Sequence, residues 1–210
     1  MYATTMTRPD IAFAVSTLSQ YLESPRTTHL AAVTRVFRYL SGTKDVNLIL
    51  GGSQTTLTGY TDADWASQTH RHSISGFAYF VGSGAINWSS KKQPIITLSS
   101  TEAEYVALTH ASKDAIWIQK LINELSSIFS SKLPTTLHCD NQGAICLSKD
   151  STFHGRTKHI DVHFHFIRQT ISNGHITLKY CPTDEMIADI FTKSLTHVKF
   201  KRFCSQLRLH

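Results

Sequence analysis

Cysteine and proline are scarce in this chain, which has four of one and five of the other among its 210 residues. Cys139, Cys146, Cys181 and Cys204 form no CxxC pair, which argues against a zinc ribbon, a dithiol motif or a disulfide framework. They read as free thiols in a reducing compartment. No apolar run is long enough to span a bilayer, so no membrane span is expected. Residues Met1 to Arg8 lack a basic stretch followed by an apolar run, so no secretory leader is expected and an intracellular, cytoplasmic protein is. No Pro- or Ser-rich tract, internal repeat or low-complexity segment interrupts the chain. No convincing Ser- or Cys-based triad stands out among its residues. What remains is a globular chain long enough for one domain of ordinary size plus an extension.

Acidic residues are outnumbered. Fifteen Asp and Glu face 21 Lys and Arg, giving a net charge of +6 and a pI near 9.2. A positive surface holds polyphosphate. Against that background four acids stand out by context: Asp62 in Gly59-Tyr60-Thr61-Asp62-Ala63-Asp64-Trp65, Glu104 in Ser99-Ser100-Thr101-Glu102-Ala103-Glu104-Tyr105, Asp140 in His138-Cys139-Asp140-Asn141, and Asp189 in Ile187-Ala188-Asp189-Ile190. Each ends a strand-like run or lies on a helix-like one. Carboxylates gathered at one sheet edge bind a pair of divalent cations, and such a pair cleaves phosphodiesters. Ligands that are all oxygen favour Mg2+, with Mn2+ as its substitute, over zinc.

Periodicity supplies the scaffold. Ile11, Phe13, Ala14, Leu18, Tyr21 and Leu22 recur with helical spacing, and Ser24-Pro25 breaks the run. A second helix carries Leu30 to Leu40, with Gly42 as its C-cap, and a short strand over Val46 to Leu50 precedes Gly51-Gly52. Beyond that linker the pattern turns to strands: Leu57 to Ala63, then Gly76 to Val81 and Ala85 to Ser89 around a Gly82-Ser83-Gly84 hairpin turn. A long helix follows over Thr101 to Leu125, capped by Ser100 or Thr101. Thr135 to Cys139 and Ile176 to Tyr180 are further strands. Gln142 to Leu147, Lys158 to Ser172 and Asp184 to Thr192 read as helices. The expected fold is α/β: a mixed five-stranded sheet, three antiparallel strands then parallel ones, flanked by helices, with an N-terminal helical extension. The expected units are residues 1–52, 55–195 and a tail, 196–210.

Each acid has a structural reading beside the chemical one. Asp62 can cap a turn, and Asp64 lies on the same face. Glu102, in the first helical turn, competes with Glu104. Asp140 can cap the helix after it, and Asp189 can be an exposed helix acid. His154, His159, His163 and His165 include one i, i+4 pair, but no Cys or fourth ligand has matching spacing. A phosphate-facing surface of Arg156, Lys158 and His159 is preferred to a zinc site. Trp65, Trp88 and Trp117 read as core or edge packing. Lys91 and Lys92, at a strand end, suit contact with a nucleic-acid backbone.

Thr7-Arg8-Pro9-Asp10-Ile11, Arg38-Tyr39-Leu40-Ser41-Gly42-Thr43, the Asp62 and Glu104 segments, Trp88-Ser89-Ser90-Lys91-Lys92-Gln93, Cys139-Asp140-Asn141, Arg156-Thr157-Lys158-His159-Ile160-Asp161 and Ala188-Asp189-Ile190-Phe191-Thr192-Lys193 occur in one order. In that order and spacing the chain resembles the ribonuclease H region at the C-terminal end of copia-type retrotransposon polyproteins. The resemblance covers nearly the whole chain. It implies an RNase H-like fold, cleavage of RNA in an RNA–DNA hybrid, and Asp62, Glu104, Asp140 and Asp189 as catalytic and metal-binding carboxylates. The first fifty residues look like the tail of a reverse transcriptase, so the missing transcriptase portion is an expected partner, and a virus-like particle the setting of a full polyprotein.

Two departures stand beside the likeness. Trp65-Ala66-Ser67-Gln68 lacks the Gly and acidic residues common there, and Ser194 replaces a frequent proline. The polymerase's paired aspartates are absent, so the chain is not expected to copy nucleic acid. The competing expectation is an inactive, truncated remnant that binds nucleic acid or a polymerase chain.

Overall fold

The computed structural model describes residues 2–52, 56–68, 71–125, 134–149 and 161–210. Arg156, Lys158 and His159 lie outside them, as does His154, and the side chain of His163 is likewise outside the description. Five strands form one sheet in the order β3-β2-β1-β4-β5: β1 Leu57–Asp64, β2 Ile74–Val81, β3 Gly84–Lys92, β4 Thr135–Cys139 and β5 Ile176–Tyr180. β1, β2 and β3 run antiparallel, while β4 pairs parallel with β1 and β5 parallel with β4. The parallel step needs a crossover, and the 25-residue helix α4, Ser100–Glu124, lies on that connection.

The sheet has two covered faces. On one, α4 buries Tyr105, Leu108, Ala111, Ala115 and Ile118 against Phe77, Tyr79, Leu137 and Leu178. Tyr79 satisfies its buried hydroxyl by donating to the Ala111 carbonyl at 2.5 Å. On the other, Ala78, Phe80 and Ala85 meet Ile187, Ile190, Phe191, Phe203, Leu207 and Ala12. β2 is therefore apolar on both sides, which explains its unbroken Phe77-Ala78-Tyr79-Phe80 run.

The helices α1 (Tyr2–Met6), α2 (Ala12–Ser19) and α3 (Thr27–Gly42) precede the sheet. Trp88 of β3 donates its indole N–H to the Thr4 carbonyl at 2.7 Å. Arg8 and Asp10 form a buried ion pair at 2.7 Å; Tyr39 donates to the same Asp10 oxygen at 2.6 Å, and Arg8 donates to Thr43 Oγ1 at 2.7 Å. This ties the C-terminal end of α3 to the turn at Pro9–Ile11, yet no residue of α3 itself is fully buried. Leu30 and Phe37 stay exposed. The helices α5 (Gln142–Lys149) and α6 (Asp161–Ser172) lie between β4 and β5, and α7 (His197–Gln206) follows the site.

Four details differ from the sequence expectation. Val46 to Leu50 is not a strand of the sheet: Leu48 makes a single antiparallel bridge with Leu209, and Asn47 and Ile49 accept or donate bonds to the chain's last three residues. The cap of α4 is Ser99, whose hydroxyl accepts from Glu102 N at 3.2 Å, while Glu102 accepts from Leu98 N at 2.7 Å. Asp184 to Thr192 is two 3-10 turns, Thr183–Glu185 and Ile187–Phe191, not an α-helix. Trp117 is 59% exposed on α4 and takes no part in the core.

Candidate metal centre

β1 and β4 are parallel neighbours, so their C-terminal ends lie at the same edge of the sheet. Asp62 is near the end of β1 and Asp140 directly follows β4. α4 begins at this edge, and its buried Glu104 points back at it, accepting a hydrogen bond from Ala63 N at 3.2 Å. Ligand atoms of Glu104, Cys139 and Asp140 all lie within 4.8 Å of one another. Glu102 is at the helix cap, occupied with Leu98 N. Asp189 arrives from the opposite face in the second 3-10 turn and is fully buried.

Gly76 makes that approach possible. It pairs with Asp62 across β1 and β2. A Cβ at residue 76 would sit 2.7 Å from Phe191 Cβ and 2.7 Å from Thr192 Cγ2. With hydrogen there instead, the segment closes on the sheet. Thr192 donates its hydroxyl to Asp62 Oδ2 in a short bond. Lys193 reaches Asp189 Oδ1 at 2.8 Å and Asp62 Oδ2 at 3.6 Å. Lys199, from α7, pairs with Asp189 Oδ2 at 2.8 Å and donates to the Thr183 carbonyl at 3.2 Å. Thr183 in turn donates to Asp140 Oδ2 at 2.7 Å. Residues 62, 104, 140 and 189 are thus joined at one sheet edge through short polar links.

Electrostatics shows what this arrangement lacks. Burial pushes the Asp62 carboxyl up to about 7, with Asp189 and Asp140 adding to the rise and Lys193 and Thr192 opposing it. Glu104 is driven well above the usual carboxylate range by burial and by the charges of Asp62 and Asp140. The neighbouring Cys139 thiol is raised by burial and by Glu104. For Asp62 and Glu104 the first cause is burial, which favours the protonated form, and the neighbouring acids add to it. Glu104, Cys139 and Asp140 are close enough together to hold one metal ion, and carboxylate oxygens are donors of the kind hard divalent cations take.

Thr192, Lys193 and Lys199 escaped the sequence reading. For Lys193 a signal existed: it lies at i+4 from Asp189. Lys199 comes from a segment expected to be a tail, and nothing in its local sequence links it to an acid ten residues earlier. Lys91 and Lys92 end β3, opposite Ser75 and Ile74, one and two positions beyond the register of Asp62. Two strand spacings separate their strand from that of Asp62, about 10 Å across the sheet. Lys91 also lines a groove of about 330 Å3 with Trp88, His110 and Lys113.

A five-stranded sheet in the order 3-2-1-4-5, antiparallel then parallel, with acids at the ends of β1 and β4 and on the first crossover helix, defines an RNase H-like domain. Among solved structures, the chain is similar to the foamy viral protease-reverse transcriptase dRH in complex with double-stranded DNA, at 13% identity and a TM-score of 0.52, over 87% of this chain and 30% of that one. LC11-RNase H1, isolated from compost, aligns over 66% of this chain and 94% of its own at 17% identity and a TM-score of 0.49. No protein-family model matches. In sequence the chain is 43% identical over 208 residues to the retrovirus-related Pol polyprotein from transposon TNT 1-94 of Nicotiana tabacum. The chain is similar to one segment of the Pol polyproteins of copia-type retrotransposons. That alignment covers 99% of this chain but 15% of the relative. No helix among the described residues is long and apolar enough to cross a membrane.

Proposed function

We propose that this chain is a metal-dependent endonuclease that hydrolyses the RNA strand of an RNA–DNA hybrid. The observation that carries the proposal is the meeting of buried Asp62, Glu104 and Asp189 with Asp140 at one sheet edge. Asp62, Glu104, Asp140 and Asp189 would hold two Mg2+ ions. Bound there, the ions supply an activated water and stabilise the leaving 3′ oxygen of an in-line displacement. The protein's part is positional. Ala63 N–H fixes Glu104, Thr192 fixes Asp62 and Thr183 fixes Asp140, so the carboxylates keep their geometry without the substrate. Lys91 and Lys92 would contact the backbone of a bound duplex; Arg156, Lys158 and His159, outside the described residues, are further proposed nucleic-acid-binding residues, and charge and the 2′-hydroxyl would distinguish the hybrid.

Residues 1–52, 55–195 and 196–210 are proposed as a transcriptase tail, a nuclease domain and an appended segment. The transcriptase portion of a longer polyprotein is the proposed partner of α3, with a cytoplasmic or virus-like-particle setting. A second reading, an inactive remnant that only binds nucleic acid, is favoured by one observation: both oxygens of Asp189 are already ion-paired to lysines.

A labelled RNA–DNA hybrid, incubated with the full chain with and without Mg2+, separates the two. Cleavage that requires Mg2+ is expected. Glu104→Gln should lose it, whereas Glu102→Gln should keep it and lower stability by about 1 kcal/mol through the weakened helix cap. Mg2+-independent or absent cleavage by the wild-type chain would favour the remnant.

A further inference from the structure

The ammonium of Lys193 lies where two buried carboxylates approach each other. It is 2.8 Å from Asp189 Oδ1 and 3.6 Å from Asp62 Oδ2, and its side chain is two-thirds withdrawn from solvent, at 33% exposure. Lys199 touches Asp189 at 2.8 Å; its other carboxylate contact, Asp184, is exposed and 4.0 Å away. Lys193 is therefore the lysine that bridges the two acids. Those same carboxylate oxygens are the donors that the proposed metal centre would use. Two cations cannot share them without strong repulsion.

We propose that Lys193 is a resident counter-cation of the carboxylate centre, a positioning residue that holds Asp62 and Asp189 together before metal arrives and competes with the metal for their oxygens. The inference rests on the metal-centre reading above and adds a residue that regulates how readily the centre fills. It has two consequences. Without metal, Lys193 keeps two buried negative charges compatible with the fold. With metal, it lowers affinity, so the centre favours loading when an additional ligand, such as a phosphate of the nucleic acid, helps to neutralise the ion.

The test uses the full chain and Lys193→Met, which keeps the length of the side chain and removes its charge, with Lys193→Arg as the charge-retaining control. In metal-free buffer at pH 8, thermal unfolding should show Lys193→Met melting several degrees below wild type. Adding Asp62→Asn should raise the melting temperature of Lys193→Met by more than the same change raises that of wild type, because only in Lys193→Met is the carboxylate it removes uncompensated. Mn2+ titration by calorimetry, without nucleic acid, should then show Lys193→Met binding on the order of tenfold more tightly than wild type. Lys193→Arg should stay close to wild type in both measurements. A metal-free Lys193→Met protein that melts like wild type, or one that gains no more from Asp62→Asn than wild type does, overturns the counter-cation role whether or not metal binds. Mn2+ affinity in Lys193→Met that is unchanged or weaker overturns the competition. If wild type and both Lys193 variants bind no Mn2+ while the metal-free coupling between Lys193 and Asp62 stands, the metal-centre reading fails and the competition with it, leaving only a structural ion pair.

Discussion

Replacing Asp62 by Asn should make the metal-free protein more stable at pH 8 while removing its proposed catalysis. The Asp62 carboxyl titrates near 7 in the fold, against 3.8 for an ordinary aspartate, with burial as the main cause. At about 1.4 kcal/mol per pH unit, that gap corresponds to roughly 4 kcal/mol of destabilisation when the group is ionised. The sign follows from proton counting. Between about pH 4 and 7 the folded state holds a proton that the unfolded state has released, so stability falls as pH rises through that window and stays low above it. Glu104, raised in the same direction, steepens the fall. Asn removes the ionisable group but buries an amide whose N–H bonds are incompletely matched, which costs about 1–2 kcal/mol. The net gain at pH 8 is about 2–3 kcal/mol, or roughly 4–12 °C in melting temperature for a chain of this size. Near pH 4 the two proteins should converge or reverse. Mg2+ should raise the melting temperature of wild type more than that of Asp62→Asn. Hybrid cleavage should drop on the order of 10^3-fold, since a lost metal ligand removes several kcal/mol of transition-state stabilisation. The assay is scanning calorimetry in chelated buffer from pH 4 to 8, paired with single-turnover cleavage. An Asp62→Asn protein no more stable than wild type at pH 8 would refute the burial argument, and one that cleaves normally would remove Asp62 from the centre.

Two further outcomes are expected. Gly76→Ala should destabilise by about 1–3 kcal/mol and reduce cleavage, because the new methyl meets Phe191 and Thr192 at 2.7 Å and pushes Thr192 and Lys193 from Asp62; unchanged melting and activity would show that the segment shifts freely. Lys91→Ala with Lys92→Ala should weaken hybrid binding and lower the salt slope of log affinity by about 2 if both lysines neutralise phosphates; fluorescence anisotropy across a salt series measures it, and an unchanged slope would place the duplex elsewhere.

Much of the scaffold could be read from local pattern. Strand alternation, the Gly82-Ser83-Gly84 turn and the long apolar stripe of α4 are short-range signals, and each lies where the structure has its element. Asp62 and Asp140 could be placed at neighbouring strand ends because a crossover helix between them forces parallel pairing. The failures are of two kinds. Ser99, Ser100 and Thr101 are consecutive hydroxyls, so composition could not select the capping residue. In Ile187–Phe191 a five-residue apolar turn has too little length to separate an α-helix from a 3-10 turn. The remaining misses are long-range. Leu48 pairs with Leu209, and Lys199 reaches Asp189 from α7, through contacts that no window of sequence contains.

The polar links around the acids also set when they can form. Thr192 and Asp62 are 130 residues apart, Thr183 and Asp140 are 43 apart, and Glu104 and Ala63 are 41 apart. Every one of these joins residues far apart in sequence, so each carries the loop-closure entropy of a long-range contact. Interactions absent from the folding transition state act mainly on the unfolding rate. During synthesis, a growing chain that has not yet reached residue 189 has β1 to β5 in hand but neither Asp189 nor its lysines. Its sheet can assemble, with Glu104 on Ala63 N–H and Asp140 on Thr183, while Asp62 still waits for Thr192 and Lys193.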